Sequence, residues 1–151
     1  MILSRVFRAL SFLVLYSPPV KTIESNLQVK ESKPGVGKGL FSLEPLTRGM
    51  FVAEYTGVKI PTEEANRLSS RYLFEVDSEW SIDGSPESNV ARYINHSCDP
   101  NTEAEIIDGR IVIYASRDIS KGSELTLDYG QEYFDEFIRP AGCKCASGKH
   151  R

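Results

Sequence analysis

Cysteine is scarce in this chain, with three residues in 151, an odd number that cannot close into a complete set of disulfides. A secreted scaffold stapled by disulfides is thereby disfavoured, and an intracellular, reducing setting, cytoplasmic or nuclear, is the expectation. Positive charge is not in excess either, because 18 Lys and Arg face 21 Asp and Glu, for a formal charge of −3. Such a balance offers no field for a phosphate backbone, so direct nucleic-acid binding is not expected and a basic peptide is the easier partner. No run of like charges marks a tail or a membrane patch. Long apolar runs are also missing. The stretch Ala9-Leu10-Ser11-Phe12-Leu13-Val14-Leu15-Tyr16 follows Arg5 and Arg8 as in a weak signal peptide, yet it is too short to cross a bilayer. Ser17-Pro18-Pro19-Val20 lacks the small-x-small pattern of a cleavage site, so residues 1–26 read as an N-terminal extension and neither secretion nor a membrane anchor is expected.

What is present is ordinary globular material, 40% apolar and 10% aromatic, of a length that suits one domain. Pro18-Pro19 marks a boundary, and the folded body is expected from Leu27. Leu27-Gln28-Val29-Lys30 alternates as a half-buried strand, and Phe51-Val52-Ala53-Glu54-Tyr55 reads as another. Thr62 with Glu63 and Glu64 behind it predicts a helix from an N-cap at Thr62 to about Ser70. Tyr72–Val76 and Trp80–Asp83 are short strands, and Asn89–Ile94 is a helical turn. Asp108-Gly109 takes the positive φ angles of a two-residue hairpin loop, which predicts paired strands over Ala104–Ile107 and Arg110–Ala115. A short aromatic helix is expected over Tyr133–Phe137. Many short strands with little helix give an α+β domain that is mostly β.

Three clusters carry more chemistry than a plain fold requires. Gly35-Val36-Gly37-Lys38-Gly39 is a glycine turn whose bare backbone lets a ligand approach, although a hairpin turn is its plainer reading. Arg92-Tyr93-Ile94-Asn95-His96-Ser97-Cys98-Asp99-Pro100-Asn101 is dense in hydrogen-bonding side chains, and its formal N-glycosylation sequon at Asn95 needs a secretory context that the cysteine count disfavours. Arg117 to Gly130 ends in Glu124-Leu125-Thr126-Leu127-Asp128-Tyr129-Gly130, where Tyr129 taken alone is a core or edge aromatic.

In this order and at these spacings the three clusters resemble the SET domain family of protein lysine methyltransferases. Tyr55-Thr56-Gly57 and Tyr72-Leu73-Phe74 match lesser landmarks between them. The resemblance covers residues 27–130 and leaves 131–151 as a post-SET-like segment. It implies several short antiparallel sheets and a C-terminal pseudoknot, in which the tyrosine segment threads a loop of the asparagine-histidine segment. It also implies S-adenosylmethionine as methyl donor and transfer of methyl to a lysine of a basic protein such as a histone, by a monomer that is cytoplasmic or chromatin-associated. The alternative is a SET-like module that binds a peptide without catalysis.

Carried over position by position, the resemblance places Gly37, Lys38 and Gly39 along the methionine part of the donor, with Tyr72 and Arg92 alongside. Asn95 and His96 would hold its amino and adenine ends. Tyr129 would orient the amine and the methyl group, and Tyr55 would line the lysine channel. Leu127 stands where relatives often carry Phe or Tyr, which leaves room for di- or trimethylation. Many relatives close a zinc site with three tail cysteines and the upstream motif cysteine. Here Cys143 and Cys145 are followed by His150 at the last position, so the implied set is Cys98, Cys143, Cys145 and His150, chemically sound for tetrahedral zinc. A frayed tail with free thiols is the competing reading.

Overall fold

A computed structural model describes residues 26–148 and 150; the apolar N-terminal stretch with Arg5 and Arg8 lies outside the described residues. Strand β1 (Leu27–Glu31) pairs antiparallel with β2 (Lys38–Ser42), from Leu27 opposite Ser42 to Glu31 opposite Lys38. The connection needs left-handed backbone at Gly35 (φ 77°) and Gly37 (φ 90°), and Ser32 N–H closes it on Gly37 O at 2.8 Å.

The central sheet has the order β3-β9-β8, from β3 (Phe51–Tyr55), β8 (Thr102–Ile107) and β9 (Arg110–Ala115). Asp108 (φ 51°) and Gly109 (φ 73°) make the β8–β9 turn, as their sequence predicts. β9 runs through the middle, and its Ile111, Ile113 and Ala115 are fully buried. Ile113 and Ala115 pack with Leu40, Val52, Ala53, Ile94, Leu125 and Leu127 into one core. The second three-stranded sheet is β4-β6-β5, built from β4 (Val58–Pro61), β5 (Leu73–Glu75) and β6 (Trp80–Asp83). β4 is mostly exposed and carries no alternation, which is why its sequence gives no strand signal.

The expected helix from Thr62 to Ser70 is corrected: α1 spans only Thr62–Ala65, and Pro61 holds the cap position. The Thr62 hydroxyl does not cap. It donates to Asp77 O at 3.2 Å and lies 2.9 Å from Ser81 Oγ, tying the turn to β6. Only Thr62 and Ala65 are buried, and Leu68 is 44% exposed, so further turns would have no apolar face to bury.

The last pairing is parallel and two residues long, between β7 (Asn95–His96) and β10 (Thr126–Leu127). The expected mostly β fold of short antiparallel sheets is therefore present, with this one parallel ladder added. Beyond it, α2 (Gln131–Tyr133) widens into a π-helical turn over Phe134–Ile138, anchored by Phe134 at 1% exposure.

Candidate active site

The β10 segment is gripped from both sides. Ser97 N–H bonds Leu127 O at 2.9 Å on the β7 side. On the other side Asn101 donates to Glu124 O (2.9 Å) and accepts from Thr126 N–H (2.8 Å), while Thr102 Oγ1 donates to Thr126 O (2.8 Å). The tyrosine segment thus passes through the 95–102 loop, a threaded connection of the kind that folds generally avoid. Its consequence is local. Tyr129, 33 residues beyond His96, arrives with its N–H 3.3 Å from His96 Nδ1 and its ring 5.5 Å from the imidazole, while its hydroxyl donates to Ile94 O at 2.5 Å.

These residues line a cleft of about 1070 Å³. That is slightly above the usual range for small-molecule sites, roughly 300–1,000 Å³. Of the residues singled out from sequence, Lys38, Tyr55, Tyr72, Arg92, Asn95, His96 and Tyr129 all face it. Gly37 and Gly39 do not; Gly35 and Val36 hold that edge instead. A Cβ on Gly37 would meet nothing within 4 Å, whereas one on Gly35 would stand 2.8 Å from Lys144 Nζ and Gly39 is buried against Glu124. Arg92 lies 4.2 Å over the Tyr72 ring and 5.4 Å over that of Tyr93, donates to Ser85 O, and leaves its buried Nε without a partner among the described residues. An unpartnered guanidinium N–H beside stacked aromatic rings suits a nucleoside that carries an amino-acid tail.

Tyr55 donates to Tyr72 O at 2.9 Å and packs on Phe74, ring centroids 5.5 Å apart. Burial pushes the phenols of Tyr129 and Tyr55 well above the ordinary tyrosine range, reinforced for Tyr129 by Tyr133 and Tyr55 and for Tyr55 by Asp83. Both are neutral at physiological pH and serve as hydrogen-bonding groups, not bases. Folded values above the unfolded one, near 10, also fix a sign: their contribution to stability is complete below about pH 10 and is lost as pH rises beyond it. Urea melts taken between about pH 9.5 and 11.5 should therefore show falling stability, and Tyr129→Phe should flatten that slope by up to about 1.4 kcal/mol per pH unit. An identical slope in both proteins would contradict this burial.

Cys98, Cys143, Cys145 and His150 each bring a ligand atom within 4.8 Å of all the others. Cys98 Sγ and Cys143 Sγ are 3.8 Å apart, and Cys145 Sγ is 3.4 Å from His150 Nδ1. Tetrahedral zinc with ordinary bond lengths needs edges of about 3.8 Å between sulfurs and about 3.5 Å from sulfur to nitrogen, so the set fits. Burial raises Cys143 to about 11. Burial also opposes ionisation of Cys145, yet the N–H groups of Cys98 and Ser147 and the thiols of Cys143 and Cys98 bring it down to about 6, so this sulfur is primed to be a thiolate ligand. The cluster sits beside the cleft. Lys144, between two of the cysteines, donates to Gly35 O at 2.9 Å, Lys33 donates to Lys144 O at 3.2 Å, and Tyr133 donates to Arg71 O at 3.3 Å. These ties draw the C-terminal segment across the opening. Nothing in the spacing of Arg71, Tyr133 or Phe137 marks them as cleft residues; only the fold brings them there.

Among the described residues, no helix is long and apolar enough to cross a membrane. A family model described as SET domain matches residues 37–130. Proteins named "Histone-lysine N-methyltransferase, H3 lysine-4 specific" from Eremothecium gossypii and Saccharomyces cerevisiae are each 38% identical over 122 residues, which is 72% of this chain and 12% and 11% of theirs. "Histone-lysine N-methyltransferase set1" of Dictyostelium discoideum is 39% identical over 126 residues, 75% of this chain and 8% of the relative. The chain thus spans about a tenth of the length of these curated relatives. The matched stretch runs from Gly37 to the residue after Tyr129 and so encloses the threaded crossing together with the Asn95, His96 and Tyr129 that it brings to the cleft: the chain belongs to the SET domain family.

Proposed function

We propose that this chain is an S-adenosylmethionine-dependent protein-lysine N-methyltransferase acting on a basic protein segment of the histone-tail kind. The observation that carries the reading is the junction of Asn95, His96 and Tyr129 on one cleft that Tyr55 and Tyr72 also line. S-adenosylmethionine, when bound, supplies an electrophilic methyl group on a positively charged sulfur. Lys38, Arg92, Asn95 and His96 are the residues that would hold it. The substrate lysine passes between aromatic walls, Tyr55 on one side and Tyr129 on the other, where its charged form is poorly solvated. A free lysine ionises near pH 10.4, so neutrality at pH 7–8 takes about 3–5 kcal/mol of bias, which desolvation and a neighbouring positive charge both favour.

Tyr129 then acts by position. Its proton is committed to Ile94 O, so the phenol oxygen keeps its remaining lone pair for the amine and the methyl hydrogens. The raised ionisation point keeps it in that role. No side-chain base is required, and bulk water accepts the amine proton. The catalytically silent alternative finds no support, because each residue the chemistry uses is present and turned to the same cleft. Zinc held by Cys98, Cys143, Cys145 and His150 would fix the C-terminal segment beside the channel. The Eremothecium gossypii and Saccharomyces cerevisiae relatives are H3 lysine-4 specific by their printed names, and a histone-like substrate would place this chain at chromatin; the cytoplasmic option draws no support from them.

The test is transfer of labelled methyl from S-adenosylmethionine to histones and to a library of lysine peptides, with products weighed by mass spectrometry. Transfer to a lysine side chain is expected, and donor binding without transfer to any lysine would contradict the proposal. The same spectra read the number of methyl groups. Leu127 lines the cleft at 7% exposure and offers no hydroxyl to hold the amine or a water, so di- and trimethyl-lysine should accumulate. Exclusive monomethylation would overturn that part.

A further inference from the structure

Asn95 is held in a way that fixes which end of its amide meets a ligand. Its Nδ2 donates to Lys38 O at 3.0 Å and to Glu124 Oε1 at 2.8 Å, which uses both of its hydrogens. Neither partner can donate in return. Lys38 O is a backbone carbonyl, and both oxygens of Glu124 already accept from Ser32 Oγ, each at 2.8 Å. Rotating the amide by half a turn would set Oδ1 against two acceptors, so the observed orientation is the one this surrounding permits. It leaves Oδ1 as the open acceptor of a side chain that lines the cleft, with no partner among the described residues.

The carboxylate reaches this place because of Gly39. A Cβ there would stand 2.4 Å from Glu124 Oε1 and 3.0 Å from its Cδ. Gly39 therefore serves the site indirectly, by admitting Glu124 and not by touching a ligand. Phe41 and Glu124 also form an isolated bridge, which brings the backbone of the tyrosine segment against β2 at the same point. Ser32 at the end of β1, Gly39 in β2, Asn95 in β7 and Glu124 before β10 thus converge on one carboxylate.

We infer that Glu124 is a positioning residue that locks the Asn95 amide with its oxygen toward the cleft, and so makes the site select a methyl donor that carries a primary ammonium group. The inference rests on the functional reading above. A fixed acceptor rewards an ammonium with a charge-assisted hydrogen bond, whereas an amide free to flip presents donor and acceptor alike and loses the discrimination.

The experiment is calorimetric binding of S-adenosylhomocysteine and of its des-amino analogue to the full chain and to Glu124→Gln. The unsubstituted chain should prefer the amino form by about tenfold or more. In Glu124→Gln the side-chain amide can donate to Asn95 as well as accept. The preference should then collapse toward one while the des-amino analogue binds with unchanged affinity, an outcome that a general loss of folding would not produce. Equal weakening of both ligands, with the ratio kept, would overturn the role given to Glu124. Should Glu124→Gln fail to fold, Ser32→Ala removes one support of the carboxylate and should lower the ratio several-fold; an unchanged ratio there overturns the inference. If the unsubstituted chain binds neither ligand, the methyltransferase reading itself falls and takes the inference with it, whereas tight binding with no preference for the amino form sinks the inference alone.

Discussion

Replacing Tyr129 with phenylalanine should slow methyl transfer by about a hundredfold or more while leaving the affinity for S-adenosylhomocysteine within about twofold. The ring remains, so the contacts to His96 at 5.5 Å and to Tyr133 at 4.9 Å between centroids survive. What goes is the single oxygen that Ile94 O holds in place. Under the proposed mechanism that oxygen aligns the amine with the methyl carbon and does little for the bound donor, so the loss belongs in the single-turnover rate and not in binding. Ile94 O also loses its donor, and some loss of stability should accompany the change. Single-turnover rates and calorimetric affinities measured side by side separate these effects. A variant that transfers methyl at the original rate would show that the phenol oxygen is not at the reacting centre.

Removing metal from the cysteine–histidine cluster should have the second large effect. The purified chain is expected to carry one zinc, and Cys145→Ser or strong chelation should release it and lower transfer more than about tenfold, since ligation supplies folding free energy that a short segment cannot replace. Beyond Gly130 the segment buries Phe134 well, while Lys144, Gly142 and Ala146 are exposed. Without the cluster, the hold of residues 139–148 on the cleft rests on exposed hydrogen bonds such as those of Lys144 to Gly35 and of Lys33 to Lys144, and contacts of that kind are weak in water. Hydrogen exchange should therefore quicken in residues 139–148 and in the glycine turn that Lys144 touches, but not in β8 or β9. Protein that is metal-free as purified, with unchanged exchange and full transfer, would remove zinc from the account. The free-thiol reading would then stand.

The parts of this fold that were legible in the sequence are those decided locally. Asp108-Gly109 dictates its own backbone angles, and the hairpin follows whatever surrounds it. Phe51–Tyr55 and Trp80–Asp83 carry enough β-branched and aromatic character to be strands in most settings. The helix at Thr62 ends at Ala65 because the residues after it bring no apolar face to bury, and its expected capping hydroxyl is engaged by Asp77 and Ser81, a tertiary demand that no local pattern records. The glycine turn was half legible: a turn was evident, but not that Gly35 would border the cleft while Gly39 would make room for a carboxylate 85 residues along the chain at Glu124.

The site itself could be assembled beforehand only through family resemblance. No periodicity or spacing says that Thr126-Leu127 will lie parallel to Asn95-His96, because a parallel pair held inside a loop is a long-range event. Glu124 illustrates the limit most clearly. It stands within the tyrosine motif as one acid among many, and its meaning appears only when Ser32, Gly39 and Asn95 are brought around it.

The most direct trial of one shared reaction cleft is a crystal structure of the chain with S-adenosylhomocysteine and a lysine peptide. The sulfur should face the Tyr129 hydroxyl, the ligand ammonium should lie on Asn95 Oδ1, and the lysine side chain should run between Tyr55 and Tyr129. A ligand bound elsewhere, or a lysine that approaches with Tyr129 turned away from the sulfur, would contradict the account.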